Sequence, residues 1–462
     1  MQSQLAKFAK AIHSFDPDIQ FHALQGIRLL SSIKDTPPLQ DIFDSGVVSR
    51  LVEFLTYYHR TEIQVEAAWT ILNLAADCNH PEYVATLVQQ GAVEVLVELL
   101  RSKHTTINDY ATGALLNIAG ESLRYRDYAL HCHVVDPLLK FLQDAHANPN
   151  TSAKHVSLLR SVVGCLSNLL RYAPLPVLDQ TKSMVDALVK MVVAAPSGPP
   201  FSDTSVQIDA CFGLVYFMDN LEEEKEYTCH KQSIPWPEVC EALYSTMRKI
   251  DLEDDDPQLA IATLRLLTLV CTGPDMPVRP IGVATGFWGV LCRLVLSKNI
   301  LLLRQIGFLL ARVVSLDFCG DRDAIHATGL FDIIVESAKT TSDPILKRSW
   351  LYVCLFLWSR ADPEPLASQF GRFDPAHVLC LHDDTTDTEL NHLLLTILDK
   401  LPKVVAYIQA DKEEEEKTLS AQANLFRGLH ALQTHSSCVE IQSRATRVLG
   451  LCFSVGDPRH KP

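Results

Sequence analysis

Apolar helices recur along this chain at nearly constant spacing, and this recurrence limits the fold more than any other feature. Apolar residues at i, i+3, i+4 and i+7 predict helices along most of the chain, whereas strand-type alternation is scarce. Several of these helices carry one polar residue late on one face, at intervals of 44, 51 and 48 residues: Asn73, Asn117, Asn168 and Tyr216. A unit of this size cannot bury its apolar face alone, so neighbouring units must stack around one continuous core.

A second set of helices gives nearly the same period. In each member a glycine ends one short helix and an apolar helix follows, with 45 residues between Gly46 and Gly91 and 43 between Gly286 and Gly329. Periods of about 40–47 residues, with two or three helices in each unit, indicate an armadillo or HEAT array. The sequence therefore predicts an all-α solenoid.

The composition permits a large core and narrows the choice of partner. Hydrophobic residues make up 47% and charged residues 21% of the 462 residues, as in a folded chain. The formal net charge of −14 favours a basic ligand and disfavours nucleic acid or an anionic membrane surface. The 13 cysteines include no CxxC pair, which indicates reduced thiols in a cytosolic or nuclear protein. Because no run of about 18 uninterrupted apolar residues occurs, no membrane span is predicted.

Motifs of catalysis and metal binding are missing from the sequence. We find no GxxxxGK[ST] phosphate loop, no HExxH and no EF-hand pattern, and no cysteine with a His and Asn at a recognisable spacing. The stretch HCH at 131–133 has metal-ligand residue types, but neighbours at a helix end do not converge on one ion. We therefore predict no enzyme activity, no cofactor and no metal site.

Four polar stretches interrupt the repeat: residues 195–203, 220–237, 251–257 and 410–418. The first is rich in Pro, Gly and Ser, the second is a long connection, and the last two are acidic. Helix order resumes after each of the first three, so we interpret them as enlarged loops between helices and not as domain boundaries. The fourth is interpreted as a solvated loop rather than a binding tail.

The order of these motifs resembles importin alpha, the armadillo adaptor family that binds nuclear localisation signals. Three of the stretches that carry the resemblance are QVEAAWTILNLA (64–75), LRSVVGCLSNLLR (159–171) and DACFGLVYFMDN (209–220). The resemblance covers about residues 16–455 and is strongest before Asn220. It implies a right-handed superhelical armadillo solenoid of about ten repeats.

On this basis the whole chain, residues 1–462, is expected to form one armadillo domain. Its well-matched repeats extend over about 16–220, its divergent repeats over about 221–455, and a short tail occupies 456–462. The last repeat, near 428–451, resembles the region through which the family meets its nuclear export receptor, which makes such a receptor a candidate partner.

In this family the third helix of each repeat lines a concave surface that binds an extended basic peptide. Asn suits this role because its amide can both donate to and accept from a peptide backbone. Trp one turn earlier lies on the same helix face and offers a cation–π surface to Lys or Arg. The resemblance implies a major groove formed by the following residues: Trp69, Asn73, Asn117, Glu121, Asn168, Asp209, Phe212 and Tyr216.

The predicted major groove keeps the family's asparagines but lacks most of its tryptophans. Trp69 and Asn73 are its one complete Trp–Asn pair, whereas Gly113 and Gly164 stand where the family carries Trp. Each lost cation–π face removes about 0.5–2 kcal/mol of binding. The vacated space could take a bulkier ligand side chain or a neighbouring side chain of the same protein, and both alternatives stay open. We expect altered or weakened side-chain selectivity.

The second, minor site of the family is degenerate in this sequence. The aligned positions are Arg265, Phe308, Arg312, Trp350 and Cys354. Arg312 and Lys347 should repel a basic peptide, so no minor site of the usual kind is expected. Trp350 is also interpreted as a residue of the core or the solenoid surface, together with Trp288 and Trp358.

The N-terminus departs from the family pattern, in which an Arg/Lys-rich arm recruits importin beta and occupies the groove when cargo is absent. Here Lys7 and Lys10 are the only basic residues before Arg28, if histidine is counted as neutral. Either the arm lies outside this sequence, or the protein neither recruits importin beta in that way nor inhibits itself.

The resemblance implies a cytoplasmic and nuclear import adaptor for proteins that carry extended basic nuclear localisation signals. The alternative is a divergent armadillo scaffold that has left nuclear import and binds a different protein partner. Binding of a basic peptide that weakens as salt rises separates the two, because salt screens charge pairing.

Overall fold

A computed structural model gives the fold of the chain. It describes residues 2–77, 79–221, 225–250, 257–271, 286–316, 319–372, 387–410, 415–436 and 438–453. Within these ranges all regular structure is helical and no strand is present, which confirms the predicted all-α fold. None of the helices in these ranges combines the length and the apolar character that a membrane crossing needs.

The chain forms two compact units, Met1–Lys249 and Ile250–Pro462. The helices of the first unit are α1 (Gln2–Ala11), α2 (Pro17–Ser31), α3 (Leu39–Asp44), α4 (Val48–Leu55), α5 (Thr61–Ala75), α6 (Pro81–Gln89), α7 (Ala92–Leu99), α8 (Thr105–Glu121), α9 (Leu123–His131), α10 (Val135–Ala147), α11 (Ala153–Leu170), α12 (Leu178–Ala194), α13 (Thr204–Asp219), α14 (Lys225–Ser233) and α15 (Trp236–Lys249). Those of the second unit are α16 (Pro257–Val270), α17 (Phe287–Leu294), α18 (Ile300–Ser315), α19 (Cys319–Ala327), α20 (Leu330–Thr340), α21 (Pro344–Arg360), α22 (Pro363–Arg372), α23 (Thr388–Ala410), α24 (Glu415–His435) and α25 (Val439–Cys452). The expectation that residues 1–462 make one domain stays a prediction.

The long helices that end successive repeats stack on one another. In the first unit α2, α5, α8, α11 and α13 pack in this order, and in the second unit α16, α18, α21 and α23 do the same. We call the helices of these two stacks the rung helices. Neighbours on several sides explain why some are apolar nearly all round. In α21, for example, 12 of 17 residues are buried.

Glycines form the corners between the short helices of a repeat. Gly46, Gly91, Gly286 and Gly329 have φ between 74° and 79°, a left-handed conformation that costs glycine little because it lacks a Cβ. His133 takes the corresponding corner of the third repeat, with φ 60°. The HCH stretch is therefore a helix-ending turn. Among the described residues no three His, Cys, Asp or Glu side chains are placed to hold one metal ion.

The predicted loops are confirmed in part. Residues 195–203 form a connection with a single 3-10 turn, Ala195–Ser197. The prediction of a loop over 220–237 is wrong, because α14 forms within it and buries His230 against the Phe217 ring. A polar helix of this kind has no apolar period to reveal it. Residues 251–256 and 411–414, within the two acidic stretches, lie outside the described part of the chain. The prediction of a loop over 410–418 is wrong at its end, because α24 begins at Glu415.

An arginine on one rung helix pairs with the aspartate that caps the next. The pairs are Arg160–Asp203, Arg304–Asp343 and Arg348–Asp387. Arg160 Nε and Nη2 lie 2.9 and 2.6 Å from the two carboxylate oxygens of Asp203. Asp203 also accepts the Val206 N–H at the start of α13, at 3.2 Å. One carboxylate thus satisfies a helix N-terminus and joins two helices.

The contact that Asp203 makes with Arg160 and with the start of α13 can be tested by substitution. Burial alone would raise the pKa of Asp203, but hydrogen bonds from Arg160 and the Val206 amide outweigh burial, and the pKa is lowered. Its stabilising effect is therefore present above the unfolded-state pKa and is lost as pH falls through the lower folded-state value. We expect Asp203→Ala to reduce the free energy of local opening of α13 by about 1–2 kcal/mol at pH 7, measured by amide hydrogen exchange.

The matched control is Asp203→Asn, which keeps a capping oxygen but removes the charge. It should fall between the wild type and Asp203→Ala at pH 7. Equal exchange in the wild type and Asp203→Ala would contradict the cap, and equal exchange in the two variants would contradict the contribution of the charge.

Candidate peptide-binding groove

Trp69, on α5, is enclosed by side chains of its own chain. The guanidinium carbon of Arg28, from α2, lies 4.2 Å from the indole centroid. The Tyr110 ring, from α8, stacks on the indole with centroids 5.1 Å apart. Glu66 holds the arginine, with Arg28 Nε 2.5 Å from Glu66 Oε2 and both side chains only 14% exposed. The indole surface that the sequence predicts for a bound peptide is therefore occupied by an internal arginine and tyrosine.

Two of the predicted asparagines join their rung helix to the preceding one. Asn73 Nδ2 donates to the hydroxyl oxygens of Ser31 and Ser32 at the end of α2, at 3.0 and 2.9 Å. Asn168 Nδ2 donates to the Leu116 carbonyl of α8, at 3.0 Å. Asn73 Nδ2 therefore has two acceptors within the chain and Asn168 Nδ2 has one, while the amide oxygen of each can still accept.

Asn117 differs from these two. It is half-buried on α8, and its side chain has no hydrogen-bond partner among the residues that the structure describes. Glu121 follows four residues later on the same helix face, and within the same ranges it forms no ion pair. Asn117 and Glu121 thus offer a complete amide and an unpaired carboxylate side by side.

The spaces opposite the two glycines are filled by leucines of the preceding rung. A Cβ on Gly113 would lie 3.0 Å from Leu72 Cδ1. A Cβ on Gly164 would lie 2.7 Å from Leu116 Cδ1 and 3.0 Å from Asp209 Oδ2. Real Cβ atoms rarely approach so closely, so a larger residue would displace these neighbours. Of the two alternatives left open by the sequence, the structure shows the second, a neighbouring side chain in the slot.

Asp209, on α13, is the most unusual charged group of this surface. Burial raises the pKa of its carboxyl to about 6, and it has no ion-pair or hydrogen-bond partner among the described residues. Phe212 and Tyr216 follow on the same helix, with ring centroids 6.2 Å apart. A buried carboxylate without a partner is costly, and a cationic ligand would relieve that cost while its aliphatic stem packs on the rings.

Two arginines near the third predicted rung, Arg160 and Arg171, form contacts within the fold. Arg160 is held by Asp203. Arg171 donates to the Gly120 carbonyl, Nη1 to O 3.4 Å, and lies over the Tyr172 ring. Both cations are therefore engaged in contacts between rung helices.

The structure separates the aligned minor-site positions into two groups: Phe308 and Arg312 line one cavity, whereas Trp350 lies in the core. Trp350 is fully buried, and its indole N–H donates to Ser337 Oγ at 3.0 Å. The expectation that Trp350 contributes to a groove is therefore wrong, because its side chain lies in the core. The alternative interpretation of Trp288, Trp350 and Trp358 as core residues is confirmed. Phe308 is 39% exposed on α18, and Arg265 is half-buried on α16.

Several residues of this surface were missed by sequence reasoning. Arg28, Glu66 and Tyr110 surround the indole, and Asn220 Nδ2 donates to the carbonyls of Leu170 and Arg171, both at 3.1 Å. The repeat period is the only signal that could have found them. Their identities do not recur from one repeat to the next, so the period marks a position without giving its partner.

Part of the chain is similar to armadillo-repeat proteins and to importin alpha subunits. Residues 35–76 and 80–120 match the family Armadillo/beta-catenin-like repeat. The chain is 33% identical to Importin subunit alpha-2 of Arabidopsis thaliana over 224 residues, which are 48% of this chain and 39% of the relative. It is 30% identical to Importin subunit alpha-1b of Oryza sativa subsp. japonica over 272 residues, 59% of this chain and 46% of the relative. The matched part thus spans less than half the length of these relatives.

A solved structure extends the likeness in fold over the rest of the chain. The crystal structure of an engineered protein superposes with a TM-score of 0.68 at 23% sequence identity, covering 98% of this chain and 99% of that one. At this identity the likeness shows the fold alone. The fold is therefore that of an armadillo-repeat protein, and the matched part of the sequence is similar to importin alpha subunits.

Proposed function

We propose that the protein is a non-enzymatic nuclear import adaptor that binds an extended basic signal peptide on the rung helices of its first unit. The observation that carries the proposal is the pair of unmatched groups on this surface: the free amide of Asn117 and the unpaired, largely buried carboxylate of Asp209. The similarity to relatives named as importin alpha subunits supports the same function.

The proposed contacts follow from what each side chain still has to offer. The amide of Asn117 binds the peptide backbone, since it can donate and accept at once. Glu121 and Asp209 bind basic side chains through charge-assisted hydrogen bonds. Phe212 and Tyr216 pack on an aliphatic stem. Asn73 contributes its amide oxygen, and Asn168 contributes its amide oxygen and its second N–H.

The partners of this adaptor are proteins that carry basic signals, and its location is cytoplasmic and nuclear. Importin beta would bind only through a basic arm, and a nuclear export receptor would bind near the last repeat. Arg28 and Tyr110 cover the Trp69 indole, and this favours an alternative function. In that alternative the protein is a divergent armadillo scaffold whose partner is not a basic signal. Peptide titration separates the two functions.

The first test titrates a rhodamine-labelled peptide with a single Lys/Arg cluster and follows fluorescence anisotropy. Asn117→Ala should weaken binding about five- to thirtyfold, the equivalent of two lost hydrogen bonds. Its melting temperature should not fall, because the Asn117 amide has no hydrogen-bond partner in the described parts of the protein.

Asn73→Ala is the matched control. It removes the hydrogen bonds to Ser31 and Ser32, so it should lower the melting temperature and weaken binding less than Asn117→Ala does. Wild-type protein without measurable affinity for the basic peptide would leave only the scaffold function.

The second test uses pH. Because the pKa of Asp209 is raised to about 6, lowering the pH from 7 to 5 protonates most of the free carboxylate. Affinity for the basic peptide should fall by up to about tenfold over this range. Asp209→Asn should bind more weakly at pH 7 and lose this part of the pH dependence. An equal pH dependence in both proteins would remove Asp209 from the site.

The effect of Asp209 on folding stability should depend on pH in the opposite direction to its effect on peptide affinity. A carboxyl whose pKa is raised in the folded state disfavours folding once it ionises, so the penalty grows as pH rises from the ordinary value of 3.8 to about 6 and stays constant above. Asp209→Asn should therefore be more stable than wild type at pH 7, by at most about 3 kcal/mol, with no such gain near pH 3. Chemical denaturation at both pH values measures this difference.

A further inference from the structure

A cavity of about 410 Å³ lies on the rung helices of the second unit. Its lining comes from four consecutive rung helices, α16, α18, α21 and α23. Neighbouring helices lie about 8–10 Å apart, and an extended peptide rises about 3.3 Å per residue. A ligand that follows this lining therefore passes one helix about every three residues, which suits an extended chain better than a compact small molecule.

The charges that line this cavity are not equally available. Arg348 is held by two carboxylates, with Nε 2.6 Å from Asp387 Oδ2 and Nη2 3.5 Å from Glu389 Oε2. Glu389 also accepts a hydrogen bond from the Tyr352 hydroxyl. Among the described residues that line the cavity, the one carboxylate, Glu389, is therefore paired with Arg348, although 59% of its side chain remains exposed.

Arg312 is the exception. It lines the cavity from α18 and is exposed, and within the described ranges its guanidinium forms no ion pair. Phe308, one turn earlier on the same face, is 39% exposed and lines the same cavity. An available guanidinium next to an apolar ring matches a carboxylate that neighbours an apolar side chain.

We propose that this cavity binds an extended acidic peptide, with a carboxylate of the peptide on Arg312 and an adjacent aliphatic side chain on Phe308. The site is distinct from the basic-peptide surface of the first unit and has the opposite charge preference. The overall charge of −14 does not prevent this, because at about 0.15 M salt charges beyond roughly 8 Å are screened.

The experiment titrates rhodamine-labelled decapeptides of alternating Glu and Leu against the full-length chain in 0.15 M salt. Peptides with Gln or Lys in place of every Glu are the controls. Wild type should bind the Glu peptide at least tenfold more tightly than the Gln peptide. Arg312→Gln should weaken the Glu peptide about ten- to hundredfold, as expected for one charge-assisted contact.

The matched protein control is Lys298→Gln, which removes an exposed cation that does not line the cavity and should change affinity less than twofold. Arg312→Glu should reverse the preference from the Glu peptide to the Lys peptide. Since Arg312 is exposed, these variants should keep the wild-type circular dichroism and melting temperature.

The proposal is overturned if wild type binds the Glu peptide no better than the Gln peptide, or if Arg312→Gln and Lys298→Gln have equal effects. Asp209→Asn should leave binding of the Glu peptide unchanged. A failure of the basic-peptide function would therefore not affect this result, and the two proposals can fail independently.

Discussion

The close stacking of the rung helices decides what this surface can bind. Helix axes only about 8–10 Å apart bring polar side chains of one rung within reach of the next. Arginines there pair with the capping aspartates of the following helix, and Asn73 and Asn168 donate back to the preceding one. Each such contact stabilises the stack of helices. It also uses a hydrogen-bond donor or a charge that could otherwise contact a ligand. A residue of a family motif is therefore informative about binding only when the structure leaves it without an internal partner.

Trp69 shows how strongly this constraint acts. Its sequence context is the most complete match to the family's groove, yet Arg28 lies on the indole and Glu66 fixes Arg28. A lysine from a peptide would have to displace a cation that already has both a ring and a carboxylate. The cation–π contact alone contributes about 0.5–2 kcal/mol, and the buried ion pair would be left incomplete, which is costlier still. In the proposed function, recognition would therefore fall to groups farther along the stack, where Asn117 and Asp209 have no such partners among the described residues.

The repeat and its corners could be predicted from sequence because both are local. Helical period and left-handed glycines, as at Gly91, are properties of single segments. The filling of the Gly113 and Gly164 slots could not be predicted, because it depends on where Leu72 and Leu116 of the preceding rung reach. The Arg28–Trp69 contact joins residues 41 positions apart, and nothing in either segment names the other. Helix α14 was missed for a third reason, since its polar sequence has no amphipathic signal.

Net charge gives a poor guide to what either unit binds. The chain carries −14 overall, but most charges on the rung helices whose partners are described are matched by a neighbour of opposite sign. At short range a ligand meets the remaining charged groups, which have no neighbour of opposite sign. Among the described residues of the proposed basic-peptide surface these groups include the carboxylates of Glu121 and Asp209, and in the cavity of the second unit they include the guanidinium of Arg312. Because a matched ion pair must be broken before either member can bind anything else, both proposals take the sign of the unmatched groups as the guide to the preferred ligand.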